Sequence, residues 1–240
     1  MHAGHDQRHL CRRRSVRNVI AMNVIEAMDL HESYGVVPAV VGIDLNVAPG
    51  EVVAVLGPNG AGKTTTLRML LGLVRPSGGS GQVFARPLDT PAGYLPRVGA
   101  LIESPAFYRE LSGERNLAVQ AALGGHNMTR VPVVLERVGL ADRGGDRYRT
   151  YSLGMKQRLG IAGALLGDPR LLILDEPTNG LDPAGIRDMR SLPLSCRERP
   201  DRTGLLTLAR RSSAGVRLAG RDRARTSGVP GTHSTAACGP

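Results

Sequence analysis

Apolar residues in this chain come in short runs separated by glycine and proline, and the runs alternate between strand-like and helix-like periods. Residues 1–22 form a polar, Arg-rich leader. Met22 stands as a candidate start, because strand-like sequence follows it at once over Val24 to Leu30. A second apolar run, Ala39 to Val47, stops at the turn signal Pro49-Gly50. Glu51 to Leu56 reads as a buried strand and leads directly into a glycine loop. Thr64 to Leu73 carries its apolar positions at helical spacing. Residues 76–100 are rich in Gly and Pro and read as hairpins and connections. Residues 110–142 hold helical stretches with an irregular middle at Gly124-Gly125. Ser152 to Leu166 reads as a helix, Leu171 to Leu174 as a buried strand, and Ala184 to Leu192 as the start of another helix. Strand and helix in alternation predict an α/β fold with a mostly parallel sheet and helices on its faces. No apolar run approaches the roughly 18 residues of a membrane span, and there is no internal repeat.

Two of these segments carry chemistry. Gly57-Pro58-Asn59-Gly60-Ala61-Gly62-Lys63-Thr64-Thr65 lies between a strand and a helix. It fits the phosphate-loop pattern, in which backbone N–H groups cradle a polyphosphate, Lys bridges its β- and γ-phosphates, and the Thr hydroxyl ligates Mg²⁺. Its ordinary reading is a glycine turn before a helix. The second segment ends the strand Leu171 to Leu174 with Asp175 and Glu176, which emerge at the carboxyl edge of the sheet, where ligands of open α/β sheets bind. Asp175 suits the Mg²⁺ shell, and Glu176 is placed to polarise an attacking water. An acidic pair after a strand is common by itself; after a phosphate loop it is specific. The chain has 29 Arg and only two Lys, and Lys63 lies in the phosphate loop while Lys156 lies in the segment Tyr151 to Arg158 that precedes the acidic strand.

Charge changes the picture little. The net charge of +10 divides into +4 over residues 1–22, +7 over residues 190–240 and −1 over the region between. A basic tail is a common nucleic-acid or anionic-lipid signal, but here the basicity belongs to the two ends, and no nucleic-acid partner is expected. Cys11, Cys196 and Cys238 also lie in the ends, too widely spaced for a metal-ligand pattern. A central region without cysteine suits a reducing cytosol.

Residues 23–189 resemble the ATP-binding domain of ABC transporters. Gly57 to Thr65 resembles its Walker A loop, Leu171 to Glu176 its Walker B strand, and Asn179-Gly180-Leu181-Asp182 its D-loop. Tyr151-Ser152-Leu153-Gly154-Met155-Lys156-Gln157-Arg158 resembles the variant signature of drug-export and peptide-antibiotic-immunity ATPases. The resemblance implies an ABC-type P-loop fold with an N-terminal antiparallel β part and a helical insertion over about 105–160. It implies two such domains, a homodimer or a pair with a similar domain, stacked head to tail around two ATP molecules. Each ATP, with Mg²⁺, would then meet Ser152, Leu153, Gly154 and Met155 of the other protomer. Tyr34, before Gly35, would stack on adenine; a half-buried strand tyrosine is its plainer reading. Glu103, where most relatives have glutamine, would join the Mg²⁺–water network beside Thr64, Asp175 and the catalytic Glu176; a solvated loop acid is the alternative. Pro105 to Asn116 would touch a membrane permease, placing the chain in the cytoplasm on the inner face of the membrane as the ATP-hydrolysing subunit of an exporter. A soluble ABC ATPase of DNA repair or translation and an inactive nucleotide-binding fragment are the rivals.

The resemblance stops near Leu192. In the family a strand after the D-loop helix delivers a histidine to the γ-phosphate, whereas here the sole later histidine, His233, has no apolar strand before it. The Arg-, Gly- and Ser-rich tail, 193–240, reads as a shifted reading frame: with suitable codons, Thr203 to Asp222 read one base forward yields a Ser-Ser, a His and a Cys-Asp pair. A divergent or disordered tail is the alternative. The expectation is of a sheet lacking that strand, for which Gly204 to Leu208 is the available substitute.

Overall fold

The computed structural model describes residues 23–103 and 106–177, and the backbone of 204–209. Two sheets make up its β structure. In the first, β1 (Ile25–Tyr34) pairs antiparallel with β2 (Val37–Val47) across the Gly35 turn. On its other side β1 pairs with β4 (Gly78–Val83), which continues into the short β5 (Arg86–Pro87). The second sheet is parallel, in the order β3 (Val52–Leu56), β8 (Gly204–Ala209), β7 (Leu171–Leu174), β6 (Val98–Leu101). Among the described residues four α-helices accompany them: α1 (Lys63–Leu70), α2 (Gly113–Leu123), α3 (Arg130–Arg137) and α4 (Leu153–Leu165).

The unbroken apolar character of β7 follows from its place between two cores. Leu171 and Ile173 face one core, with Ile25, Leu30, Leu67 and Leu70. Leu172 and Leu174 face the other, with Leu117, Val134, Leu159 and Ile161 of the helical part. Both faces of the strand are covered, so period-2 alternation disappears from its sequence. In the helical part the Gln120 side-chain amide of α2 lies over Gly163 of α4.

The predicted helix Thr64 to Leu73 stops earlier, at Leu70. Gly72 adopts a left-handed φ of 66°, and the Leu73 N–H donates back to the Arg68 carbonyl over 2.9 Å, a glycine-terminated helix end. The helical stretches within 110–142 resolve into α2 and α3, separated across Gly124-Gly125. The predicted helix Ala184 to Leu192 lies outside the described residues.

The tail requires a correction. The sheet does not lack a strand after β7: Gly204–Ala209 fills the gap, pairing with β3 from Val52↔Leu205 to Leu56↔Ala209 and with β7 from Leu171↔Gly204 to Leu174↔Thr207. The run Gly204 to Leu208 contains no charged residue, and the strand ends before Arg210 and Arg211. Arg210 and Arg211 follow directly after the last paired residue, Ala209.

Candidate functional site

The carboxyl ends of the parallel strands bring the two chemical segments together. β3 leads into the loop Gly57 to Gly62, and α1 begins at Lys63. Gly60 and Gly62 hold left-handed φ values of 80° and 76°. At Gly62 an added Cβ would fall 2.3 Å from the Ala39 carbonyl oxygen of β2, so the phosphate loop is seated against the first sheet by close backbone approach. Pro58, Asn59, Gly60 and Ala61 are exposed, whereas Lys63 is 8% exposed. Its ammonium donates to the Gly57 carbonyl over 3.1 Å and the Pro58 carbonyl over 3.0 Å. A buried cation satisfied only by loop carbonyls is suited to an anion entering the same loop. Thr65 follows on the first turn of α1.

Thr64 Oγ1 donates to Asp175 Oδ2 over 2.8 Å. The Asp175 N–H donates to the Leu101 carbonyl over 2.8 Å, which fixes the end of β7 against β6. A hydroxyl and a carboxylate, both hard oxygen donors beside a phosphate loop, form the donor set that suits Mg²⁺, which takes one or two protein oxygens and completes its shell with phosphate and water. Glu176 follows in a left-handed conformation, φ 44°, which is costly for a residue other than glycine and is concentrated at functional sites.

Glu103 does not join Thr64 and Asp175. Its carboxylate pairs with the guanidinium of Arg68, in the last turn of α1. The sequence reading missed Arg68, although helical spacing held the signal: Thr64 and Arg68 are four residues apart and share a helix face. Tyr34 ends β1 opposite Val37 and is 52% exposed, on the hairpin whose Ala39 and Val40 touch the phosphate loop.

The signature segment opens α4. Ser152 is the N-cap, its hydroxyl accepting from the Met155 N–H over 3.2 Å. Leu153 is 62% exposed, so the N-terminus of this 13-residue helix faces outward. Beneath it lies an aromatic row: Phe107 meets Tyr148 edge-on at 5.2 Å, and Tyr148 lies 6.0 Å from Tyr151. Lys156 sits 5.5 Å over the Tyr148 ring. Burial pushes the Tyr148 phenol up from its ordinary pKa, and burial followed by Asp146 pushes up Tyr151, against the opposing Arg143. The Tyr151 hydroxyl donates to the Arg143 carbonyl over 2.7 Å. Nearly buried Asn116 holds the segment between, accepting from the Tyr108 N–H and donating to the Tyr108 and Ser112 carbonyls. Asp182 lies outside the described residues.

A family model described as ABC transporter matches residues 40–179. The bacitracin transport ATP-binding protein BcrA of Bacillus licheniformis is 47% identical over 171 residues, which are 70% of this chain and 56% of that protein. The lantibiotic transport ATP-binding protein SrtF of Streptococcus pyogenes is 40% identical over 169 residues, covering 70% of this chain and 73% of that one. The chain thus spans about half the length of relatives such as BcrA. Among solved structures, cbiO1 of Clostridium perfringens, described as part of an ABC transporter complex, superposes with a TM-score of 0.70 at 27% identity, over 79% of each chain. An ATP-binding subunit of an ABC transporter superposes with a TM-score of 0.64 at 31% identity, over 78% of this chain and 79% of that one. No helix among the described residues is long and apolar enough to cross a membrane. With more than half its length matched by the family model, and with phosphate loop, acidic strand and signature helix assembled as described, the chain belongs to the ABC transporter family.

Proposed function

We propose that the protein is the ATP-binding and hydrolysing subunit of an exporter, paired with a second copy or a similar domain and docked on a separate membrane permease at the cytoplasmic face. The hydrogen bond of Thr64 to Asp175 carries the reading, because it joins the phosphate loop to the acidic strand in the arrangement that Mg-ATP needs. The names of BcrA and SrtF favour a peptide-antibiotic type of cargo.

Thr64 and Asp175 would hold Mg²⁺, which supplies charge neutralisation at the phosphates. Lys63 turns from the Gly57 and Pro58 carbonyls to the β- and γ-phosphate oxygens. The loop N–H groups of Gly60 to Thr65 bind the same oxygens, assisted by the positive end of α1. Tyr34 stacks on adenine. Glu176 orients the attacking water and accepts its proton. Ser152 to Met155 of the second domain present a hydroxyl and helix N-terminal N–H groups to the γ-phosphate, and Asp182 of the D-loop lies in that interface. Residues 1–22 form a leader, about 105–160 the helical insertion, and 193–240 the tail with the shifted-frame reading.

Titration with a fluorescent ATP analogue, with and without Mg²⁺, tests the reading. Micromolar, Mg²⁺-dependent binding is expected, and its absence refutes the assignment.

A further inference from the structure

We propose that Arg68 is a positioning residue that governs how far Glu103 takes part in the cation site, an inference that rests on the Mg-ATP reading above. β6 and β7 are parallel and pair Leu101 with Leu174. Continued by two residues, that register sets Glu103 level with Glu176, each just beyond the end of its strand. Both are left-handed, with φ 64° and 44°. Neighbouring strands run roughly 4.8 Å apart, so the backbones of two acidic residues stand level at the ends of adjacent strands, one position beyond Asp175 and its level neighbour Ile102. Like charges so placed repel one another and compete for one cation.

α1 divides them. From one face of this helix Thr64 reaches Asp175 at the end of β7, while Arg68, one turn further, reaches Glu103 beyond the end of β6. The C-terminal position of Arg68 also suits its charge, since cations are favoured in the last turn of a helix. The backbone around it is fixed: the Arg68 carbonyl accepts from the Leu73 and Val74 N–H groups. The Arg68 side chain is 37% exposed and that of Glu103 64%. A pair so hydrated contributes little to stability, and it exchanges partners readily. Arg68 therefore neutralises Glu103 and draws it toward the far end of α1. A cation at Thr64 and Asp175 must compete with the guanidinium for the Glu103 carboxylate. The consequence is a raised Mg²⁺ requirement, set by a residue that touches neither the cation nor the nucleotide.

The test is the Mg²⁺ concentration that half-saturates binding of a fluorescent ATP analogue, read as binding and not as turnover. Arg68→Gln should lower that concentration about three- to tenfold, and Arg68→Lys less. Glu103→Gln should remove the competition, so adding Arg68→Gln to it should cause no further shift. Thermal melting of each variant separates folding from positioning. Equal Mg²⁺ midpoints in wild type and Arg68→Gln would overturn the proposal, as would the same shift in the Glu103→Gln background. A wild-type chain that binds no nucleotide at any Mg²⁺ concentration would instead sink the underlying Mg-ATP reading.

Discussion

Thr64 Oγ1 and Asp175 Oδ2 lie 2.8 Å apart although 111 positions separate them in the chain. The hydroxyl comes from the first turn of α1 and the carboxylate from the end of β7, so the contact exists only once the phosphate loop and the acidic strand are in one sheet. Asp175→Asn keeps the shape and the hydrogen bond but removes the charge that a divalent cation requires. Nucleotide binding by this variant is expected to lose most of its Mg²⁺ dependence while persisting weakly without the metal. A wild-type Mg²⁺ response in the variant would contradict the role given to Asp175.

Lys63 is the buried cation of the loop, and its present partners are two backbone carbonyls. Removing the ammonium should cost nucleotide binding about 1.5–3 kcal/mol, the scale of a hydrogen bond to a charged group. That corresponds to roughly a 10- to 150-fold weaker Kd. Titration of Lys63→Ala with the fluorescent analogue measures it. Affinity equal to wild type would remove the phosphate loop from the argument.

Glu176→Gln separates binding from turnover. The amide preserves size and hydrogen bonding but cannot take a proton from water. ATP binding should remain, phosphate release should fall by about 100-fold or more, and the chain should accumulate as an ATP-dependent dimer in light scattering. Undiminished phosphate release from a monomer would contradict both the base and the sandwich of two domains. Dimerisation is the more direct readout, because it does not depend on the wild-type turnover being high.

The parts legible in the sequence are those whose cause is local. A glycine loop between a strand and a helix, a short apolar run ending in two acids, and a serine at a helix start each announce themselves within about ten residues, and Lys63, Asp175 and Ser152 stand where that reading put them. The place of Arg68 on the Thr64 face was legible in the helical spacing, but its pairing with Glu103 was not, because that depends on where β6 ends relative to α1, a tertiary fact that neither segment encodes alone. The left-handed Glu103 and Glu176 were likewise invisible, since carboxylic residues carry no local signal for that conformation. The apolar run of β8 was visible as the available substitute, but not its place between β3 and β7, because parallel pairing joins segments far apart in the chain.

The place of β8 yields the last expectation. Leu206 pairs with Val53 of β3 on one side and with Ile173 of β7 on the other, so its backbone lies in the middle of the parallel sheet. Proline there supplies no N–H to the ladder and is tolerated in sheets only at edges and bulges. Leu206→Pro is expected to destabilise the chain by on the order of 3 kcal/mol, the upper end for single substitutions. It should also open the β3–β7 gap to limited proteolysis. If Gly204–Ala209 contributes nothing to the sheet, melting temperature and protease pattern will match wild type. A chain with the alternate frame restored from Thr203 onward supplies the second comparison. With the codons that yield the Ser-Ser, His and Cys-Asp reading it would regain a histidine for the γ-phosphate, whose charge is stabilised in the transition state, so its phosphate release should exceed that of the 240-residue chain. Equal rates from the two chains, with equal resistance to protease, would show the tail to be a genuine divergent element of this protein and not the product of a shifted frame.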